Sequence, residues 1–179
     1  MRITSGIYKG RVIQRVDTEL TRETSDKVKQ AMFNMLFDVK NQVVLDLFAG
    51  SGQLTFEALS RGAKHIIAVD YQKEAILTIL DNAMMLGCQK QVTLVEQKIT
   101  PQNTMFTNKS IDIIIMDPPY DYTQYEALIY ELPVASHLIV EASAQAHLPQ
   151  YIHHFALKKE KKYGKKKLFY YQFNKSSLD

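Results

Sequence analysis

One cysteine, no tryptophan and no apolar run near the roughly 20 residues a membrane-spanning helix needs are the first features of this 179-residue chain. A lone Cys88 excludes a disulfide framework, and Met1-Arg2-Ile3-Thr4-Ser5-Gly6 contains no apolar signal core, so a soluble cytoplasmic protein is expected. Cys88 has no basic neighbour to activate its thiol and receives no role. His153 and His154 are adjacent, which on a strand sends them to opposite faces. With no cysteine pair and no His-Glu-x-x-His spacing, no metal site is expected. The length accommodates one well-buried core but falls short of two full domains. Its 46% hydrophobic and 23% charged residues are ordinary for a globular fold.

Several glycine-turn chemistries are also missing a part. Gly50-Ser51-Gly52 is followed by Gln53, Leu54 and Thr55, without the third glycine of a dinucleotide fingerprint or the Lys-Ser/Thr of a P-loop. Ser51 lies in Ala-Gly-Ser-Gly-Gln rather than Gly-x-Ser-x-Gly, so it is read as a turn residue and not as a nucleophile.

Residues 1 to 16 alternate loosely around Gly6 and Gly10 and predict a short β-hairpin. From Thr24 the period changes to 3.6 through Val28, Ala31, Met32, Met35, Leu36 and Val39, an amphipathic helix with Thr24 or Ser25 as N-cap. Strands are expected at 43–47, 65–70, 91–95, 111–116 and 137–140, with helices at 53–61, 72–86 and 121–132. On the 72–86 helix the apolar face is Ala75, Ile76, Ile79, Leu80, Ala83 and Met84. Segments 151–161 and 165–173 read as paired strands turning at Gly164. The alternation predicts an α/β, Rossmann-like fold with a mostly parallel sheet ending in an antiparallel hairpin. Residues 1–17 form an N-terminal hairpin extension, 18–174 the main domain and 175–179 a frayed tail.

Net charge is only +3, but its placement is uneven. Lys158, Lys159, Lys161, Lys162, Lys165, Lys166 and Lys167 crowd one end; Arg2, Lys9, Arg11, Arg15, Arg22, Lys27 and Lys29 crowd the other. Either cluster alone is equally well a solvated face, whereas two of them flanking one site favour a polyanion.

Two motifs carry the chemistry. Asp46-Leu47-Phe48-Ala49-Gly50-Ser51-Gly52 puts small residues where strand turns into helix, so backbone N–H groups can approach a nucleoside cofactor closely. Asp70, ending the next strand, is in register to accept ribose hydroxyls; alone it reads equally well as a surface turn residue. Asp117-Pro118-Pro119-Tyr120 puts a carboxylate at the end of an apolar strand, with two prolines stiffening the turn and an aromatic ring closing it. That arrangement suits gripping a flat base by its amino group, and the two motifs together point to methyl transfer to an amine.

With Thr24-Ser25-Asp26-Lys27-Val28-Lys29, Glu57 to Ala63 and Tyr163-Gly164 in the same order, the chain resembles class I S-adenosylmethionine-dependent methyltransferases. More narrowly it is similar to the bacterial family that methylates the exocyclic N2 of one guanine in 16S ribosomal RNA. The resemblance implies a seven-stranded sheet, S-adenosylmethionine as cofactor with its methionine part near Asp46, Phe48, Ala49, Gly50, Ser51 and Gly52, and its ribose at Asp70. It places adenine beside Tyr71 and the loop after the third strand. There Glu96-Gln97-Lys98-Ile99 departs from the family's acidic residue, and backbone near Ile99 is the substitute contact.

Asp117 and the Pro118 carbonyl are expected to accept the amine hydrogens, Pro119 to hold the turn and Tyr120 to stack on the base. RNA contacts are expected from Arg2, Lys9, Arg11, Arg22 and Lys27, with a monomer acting on 16S RNA within the small subunit or an assembly intermediate. Adenine N6 in DNA, a glutamine amide in a protein, and a non-catalytic RNA-binding assembly role hinted at by Lys98 are the alternatives.

Overall fold

The computed structural model describes residues 1–16, 24–104, 106 and 108–174; Arg22, the boundary at 17/18 and the tail 175–179 lie outside the described residues. Strands β1 (Val43–Leu47), β2 (His65–Asp70), β3 (Val92–Glu96), β4 (Ile113–Met116) and β5 (His137–Ser143) pair in parallel. Strands β6 (Tyr151–Ile152), β7 (Phe155–Tyr163) and β8 (Lys166–Phe173) are antiparallel, and the sheet order is β3-β2-β1-β4-β5-β8-β7-β6. The sheet thus has eight strands rather than seven.

The eighth strand comes from a turn inside the segment expected to be one strand, 151–161. His153 takes a left-handed φ of 49°, and the two histidine rings lie against each other, tilted by 32° with centroids 3.4 Å apart, instead of pointing to opposite faces. Strand β5 runs three residues further than its apolar pattern suggests, because β8 supplies an antiparallel partner as far as Ser143↔Lys166.

Helices α1 (Asp26–Leu36), α2 (Gln53–Ser60) and α3 (Lys73–Leu86) share one core with Val44, Ile66, Ile115 and Ile139 on one sheet face. Helix α4 (Tyr125–Glu131) packs with Leu45, Ile67, Ile114 and Val140 on the other. Ser25 caps α1, its hydroxyl accepting from the Val28 N–H; Thr24 is used elsewhere. Helix α4 starts late because a turn closed by Tyr122 N–H to Pro119 C=O (3.0 Å) occupies the beginning of the expected helix. On α3, Leu80 and Met84 face solvent, and the buried positions are Ala75, Ile79, Asn82, Ala83 and Leu86.

The N-terminal segment closes as a short hairpin about the Arg2↔Val12 bridge, with Ile13 N–H donating to the Met1 carbonyl, Ile3 N–H to that of Arg11 and Gly10 N–H to that of Ile3. Its alternation fails, however: Ile3, Ile13 and Val16 are buried while Ile7 and Val12 are exposed. It is a cover for α2. The Ile7 N–H donates to the Ser60 carbonyl at 2.8 Å, and a Cβ on Gly6 would sit 1.7 Å from that oxygen. Beneath it, Glu57 accepts from the Thr4 N–H and hydroxyl and pairs with Lys29 (3.3 Å) and Arg61 (3.0 Å). This cover explains how polar Glu57 and Ser60 can be fully buried on a helix: the Ser60 hydroxyl accepts from the Tyr8 N–H and donates to the Ser5 carbonyl.

Candidate active site

Sheet order reverses between β1 and β4, which opens a crevice at the carboxyl ends of those strands; ligands of open α/β sheets bind at such switch points. Register places three carboxylates there on one face. Asp46 pairs with Ala68 of β2 and with Ile115 of β4. Asp70 and Asp117 each lie two residues beyond those partners, and because strand side chains alternate, all three point toward α1, α2 and α3.

Asp46 is 1% exposed, and its Oδ2 accepts from the Thr55 hydroxyl at 2.5 Å. Its Oδ1 is buried without a hydrogen-bond partner. Burial first, then the charges of Asp117 and Asp70, push its carboxyl up to about 7, against the lowering effect of Thr55. A buried, unsatisfied acceptor of this kind calls for a ligand donor or cation.

Asp70 is oriented by backbone: Oδ2 accepts from Gly50 N–H and Oδ1 from Gln72 N–H, both at 2.9 Å. The turn between Asp46 and α2 is left-handed at Phe48 (φ 62°), Gly50 (φ 54°) and Gly52 (φ 83°). A Cβ on Gly50 would meet only open space, whereas one on Gly52 would strike the Phe56 ring at 2.7 Å. Gly50 therefore keeps a cradle open, and Gly52 lets α2 pack. Ala49 and Ser51 are buried beside it, the Ser51 hydroxyl accepting from the Val16 N–H at 2.8 Å.

Asn82, a residue that sequence pattern alone does not mark as part of the site, fixes this turn. Its amide group donates to the Gln14 and Ser51 carbonyls and accepts from the Gln14 N–H, tying α3, the N-terminal cover and the glycine turn together. The available signal was a polar residue on the apolar face between Ile79 and Ala83.

Asp117 follows Met116, the register partner of Leu47, so it leaves the end of β4 next to the end of β1, where the glycine turn begins. Its Oδ2 accepts from the Thr24 hydroxyl at 2.6 Å, a contact over 93 residues, so Thr24 serves this carboxylate and leaves the helix cap to Ser25. Burial raises its carboxyl, opposed by the Lys166 charge and the Thr24 hydrogen bond. Pro118 is half-buried, while Pro119 and Tyr120 (59% exposed) stand open at the mouth. Tyr122 and Tyr125 pack edge-on at 5.2 Å, and Tyr122 meets Phe48 at 5.3 Å, which makes an aromatic wall beside Asp117. Burial holds both tyrosines at about 12, so they remain neutral.

Tyr71 is exposed and Ile99 buried, on the two loops after β2 and β3; those loops are joined by Gln97 N–H to the Asp70 carbonyl at 2.9 Å. Lys98 is exposed. Arg2, Lys9, Arg11 and Lys27 are exposed, Arg2 donating to the Gly10 carbonyl. Three clustered cations are removed from any polyanion: Lys29 is fully buried against Glu57, Lys166 pairs with buried Glu141, and buried Lys167 donates to the Ala146 carbonyl and pairs with Glu160. Among the described residues no helix is long and apolar enough to cross a membrane.

The family model described as "Conserved hypothetical protein 95" matches residues 1–172. YlbH of Bacillus subtilis (strain 168), named as a candidate rRNA methyltransferase, is 34% identical over 175 residues, which are 92% of this chain and 94% of the relative. Ribosomal RNA small subunit methyltransferase D of Haemophilus influenzae is 34% identical over 136 residues, 72% of this chain and 68% of the relative. The solved structure of YhhF from Escherichia coli superposes with a TM-score of 0.81 at 25% identity, covering 97% of this chain and 98% of that one. With nearly its whole length matched, and with the switch-point crevice of a class I methyltransferase fold, this chain belongs to the Conserved hypothetical protein 95 family.

Proposed function

We propose that this protein transfers a methyl group from S-adenosylmethionine to the exocyclic N2 amine of a guanine in 16S ribosomal RNA. It acts as a monomer in the cytoplasm, on the small subunit or an assembly intermediate. The observation that carries the reading is the row Asp70, Asp46, Asp117, three carboxylates on one face of the switch point, with an unsatisfied buried Asp46 oxygen. Such a row favours an organic cation lying across the strand ends. Names of relatives supply the RNA: the Haemophilus influenzae protein is named for the small-subunit rRNA it methylates.

S-adenosylmethionine, when bound, supplies an electrophilic methyl group on a positively charged sulfur. Asp46 and the open turn at Ala49, Gly50 and Ser51 would hold its amino-acid end, Asp70 its ribose, and Tyr71 and Ile99 its adenine. A guanine N2 amine is a weak nucleophile because its lone pair is delocalised into the ring. Asp117 and the Pro118 carbonyl accept its two hydrogens, which turns the lone pair out of conjugation. Positioning of this kind is worth on the order of 7 to 11 kcal/mol in the best intramolecular cases. As the nitrogen–methyl bond forms, the methyl–sulfur bond would break with its electron pair going to sulfur, leaving a neutral thioether, while the proton leaving nitrogen passes to an Asp117 oxygen. A carboxyl raised by burial is a better base than an ordinary one. Thr24 fixes the Asp117 rotamer, and exposed Tyr120 offers its ring to a base drawn out of its stack. Arg2, Lys9, Arg11 and Lys27 contact RNA phosphates.

Incubation with tritiated S-adenosylmethionine and under-methylated small subunits tests this. Label is expected in the RNA and not in duplex DNA or ribosomal protein, and is lost in Asp117→Ala. Undiminished transfer by that variant would remove Asp117 from the mechanism.

A further inference from the structure

Outside the strand-end site, three exposed lysines line a cleft of about 360 Å³ between α1 and the β7–β8 hairpin. Its polar lining is Lys27, Gln30 and Asn34 from α1, with Lys159, Lys161 and Tyr163 from β7: three cations, two amides, one phenol ring and no carboxylate.

Strand pairing produces this segregation. Lys159, Lys161 and Tyr163 are opposite Tyr170, Leu168 and Lys166, and cross-strand partners share a face. Leu168 and Tyr170 belong to the core that includes α1, so those β7 side chains face α1. Glu160, the one acidic residue of the strand, is opposite Phe169 on the other face and is bound there by Lys167 at 3.7 Å. On α1, Lys29 is withdrawn into its pair with Glu57 and Asp26 is held by Lys29, which leaves Lys27 facing the cleft.

The cleft also has a direction. Thr24, bonded to Asp117, stands three residues before Lys27, and at 1.5 Å per residue the cleft wall from Lys27 to Asn34 extends about 10 Å away from Asp117. The β7 end at Tyr163 and the turn at Gly164 lie at the same sheet edge as Asp117, since β8 begins opposite Ser143 at the end of β5.

We propose that this cleft anchors a single-stranded RNA segment flanking the target guanine, a reading that rests on the proposed RNA methyltransferase activity. Lys27, Lys159 and Lys161 take the phosphates; the Tyr163 ring, with the Lys161 ammonium 5.5 Å from its centroid, gives a base a surface beside that cation. The exposed Asn34 amide meets a base or ribose edge, while the Gln30 amide is held by Thr4 and Arg61 and shapes the wall. A positively charged groove with an aromatic ring and no anion is the composition that holds a single strand without reading duplex shape.

The test measures binding of a fluorescein-labelled single-stranded RNA of about 20 nucleotides spanning the methylated site, and of under-methylated small subunits, between 50 and 200 mM KCl. At a slope of about 0.7 per neutralised phosphate, Lys27→Ala/Lys159→Ala/Lys161→Ala lowers the log–log salt slope by about 2. The wild-type advantage therefore shrinks about 20-fold across that range. S-adenosylmethionine binding by calorimetry and the melting temperature stay at wild-type values, and arginine at all three positions restores the slope.

A control triple variant at Lys40, Lys64 and Lys90, which precede β1, β2 and β3 at the opposite sheet edge, keeps the full slope. An unchanged slope in the cleft variant, an equal loss in the control, or tighter binding of duplex than of single strand would overturn the cleft assignment while methyl transfer by wild type still stands. Wild type that neither binds RNA nor methylates subunits would overturn the methyltransferase reading and the cleft together.

Discussion

Lowering the pH from 7 to 5 is expected to weaken S-adenosylmethionine binding about 50-fold, because the site must lose a proton from Asp46 before it can face a cation. In the free protein burial, aided by Asp117 and Asp70, holds the Asp46 carboxyl at about 7. Its Oδ1 has no partner, so a cationic ligand beside it favours the ionised form. If the bound carboxyl titrates below pH 5, the affinity ratio is (1 + 100)/(1 + 1), about 50. An α-amino group titrates at about 7.7–8.0, so the ligand keeps its own charge through this window.

Calorimetry in two buffers of different ionisation enthalpy counts the released proton directly. Roughly half a proton should leave at pH 7, and nearly one at pH 5.5. Asp46→Asn should bind weakly with no proton release and no slope. Wild-type affinity that stays constant from pH 7 to 5 would refute the assignment of Asp46 to the cation.

The same shift acts on stability with the opposite sense. A folded carboxyl raised from 3.8 to about 7 stabilises the protonated protein, and that stability is lost as pH rises from about 4 through 7. Asp46→Asn should therefore make the ligand-free protein more stable at pH 8 by about 4 kcal/mol in urea melts, while costing cofactor affinity. Asp117→Asn should keep cofactor binding but lower kcat about 100- to 1000-fold, the usual effect of removing one preorganised electrostatic group; equal losses in binding and kcat would make Asp117 a cofactor contact instead. Gly6→Ala combines a φ of +79° with a Cβ 1.7 Å from the Ser60 carbonyl, and should cost about 3 kcal/mol, roughly a 10 °C drop in Tm. Gly50→Ala meets no protein atom, so it should melt within a few degrees of wild type but bind cofactor poorly.

Elements governed by local pattern were legible in the sequence: β1, β2 and the glycine turn fall where the apolar runs and small residues put them. The strand order is not set locally: only the pairing of β1 with both β2 and β4 brings a carboxylate after β4 into one crevice with one in β1. What the sequence hid depends on contacts between distant segments. Thr24 reads as a helix cap, yet its hydroxyl is taken by Asp117, 93 residues away. Lys29 reads as one more surface cation, yet buried Glu57 claims it only because the N-terminal segment covers α2. The β6–β7 break at His153 has neither glycine nor proline to announce it. Asn82 looks like an interruption of an apolar face until Gln14 and Ser51 are brought to it.

The most direct test is to digest small-subunit RNA after reaction with trideuteromethyl-labelled S-adenosylmethionine and to identify the modified nucleoside by mass spectrometry. The account predicts one labelled guanosine, methylated at N2, formed by wild type and lost in Asp117→Asn. Label on adenine N6, or on guanine in equal amount with the variant, would contradict it.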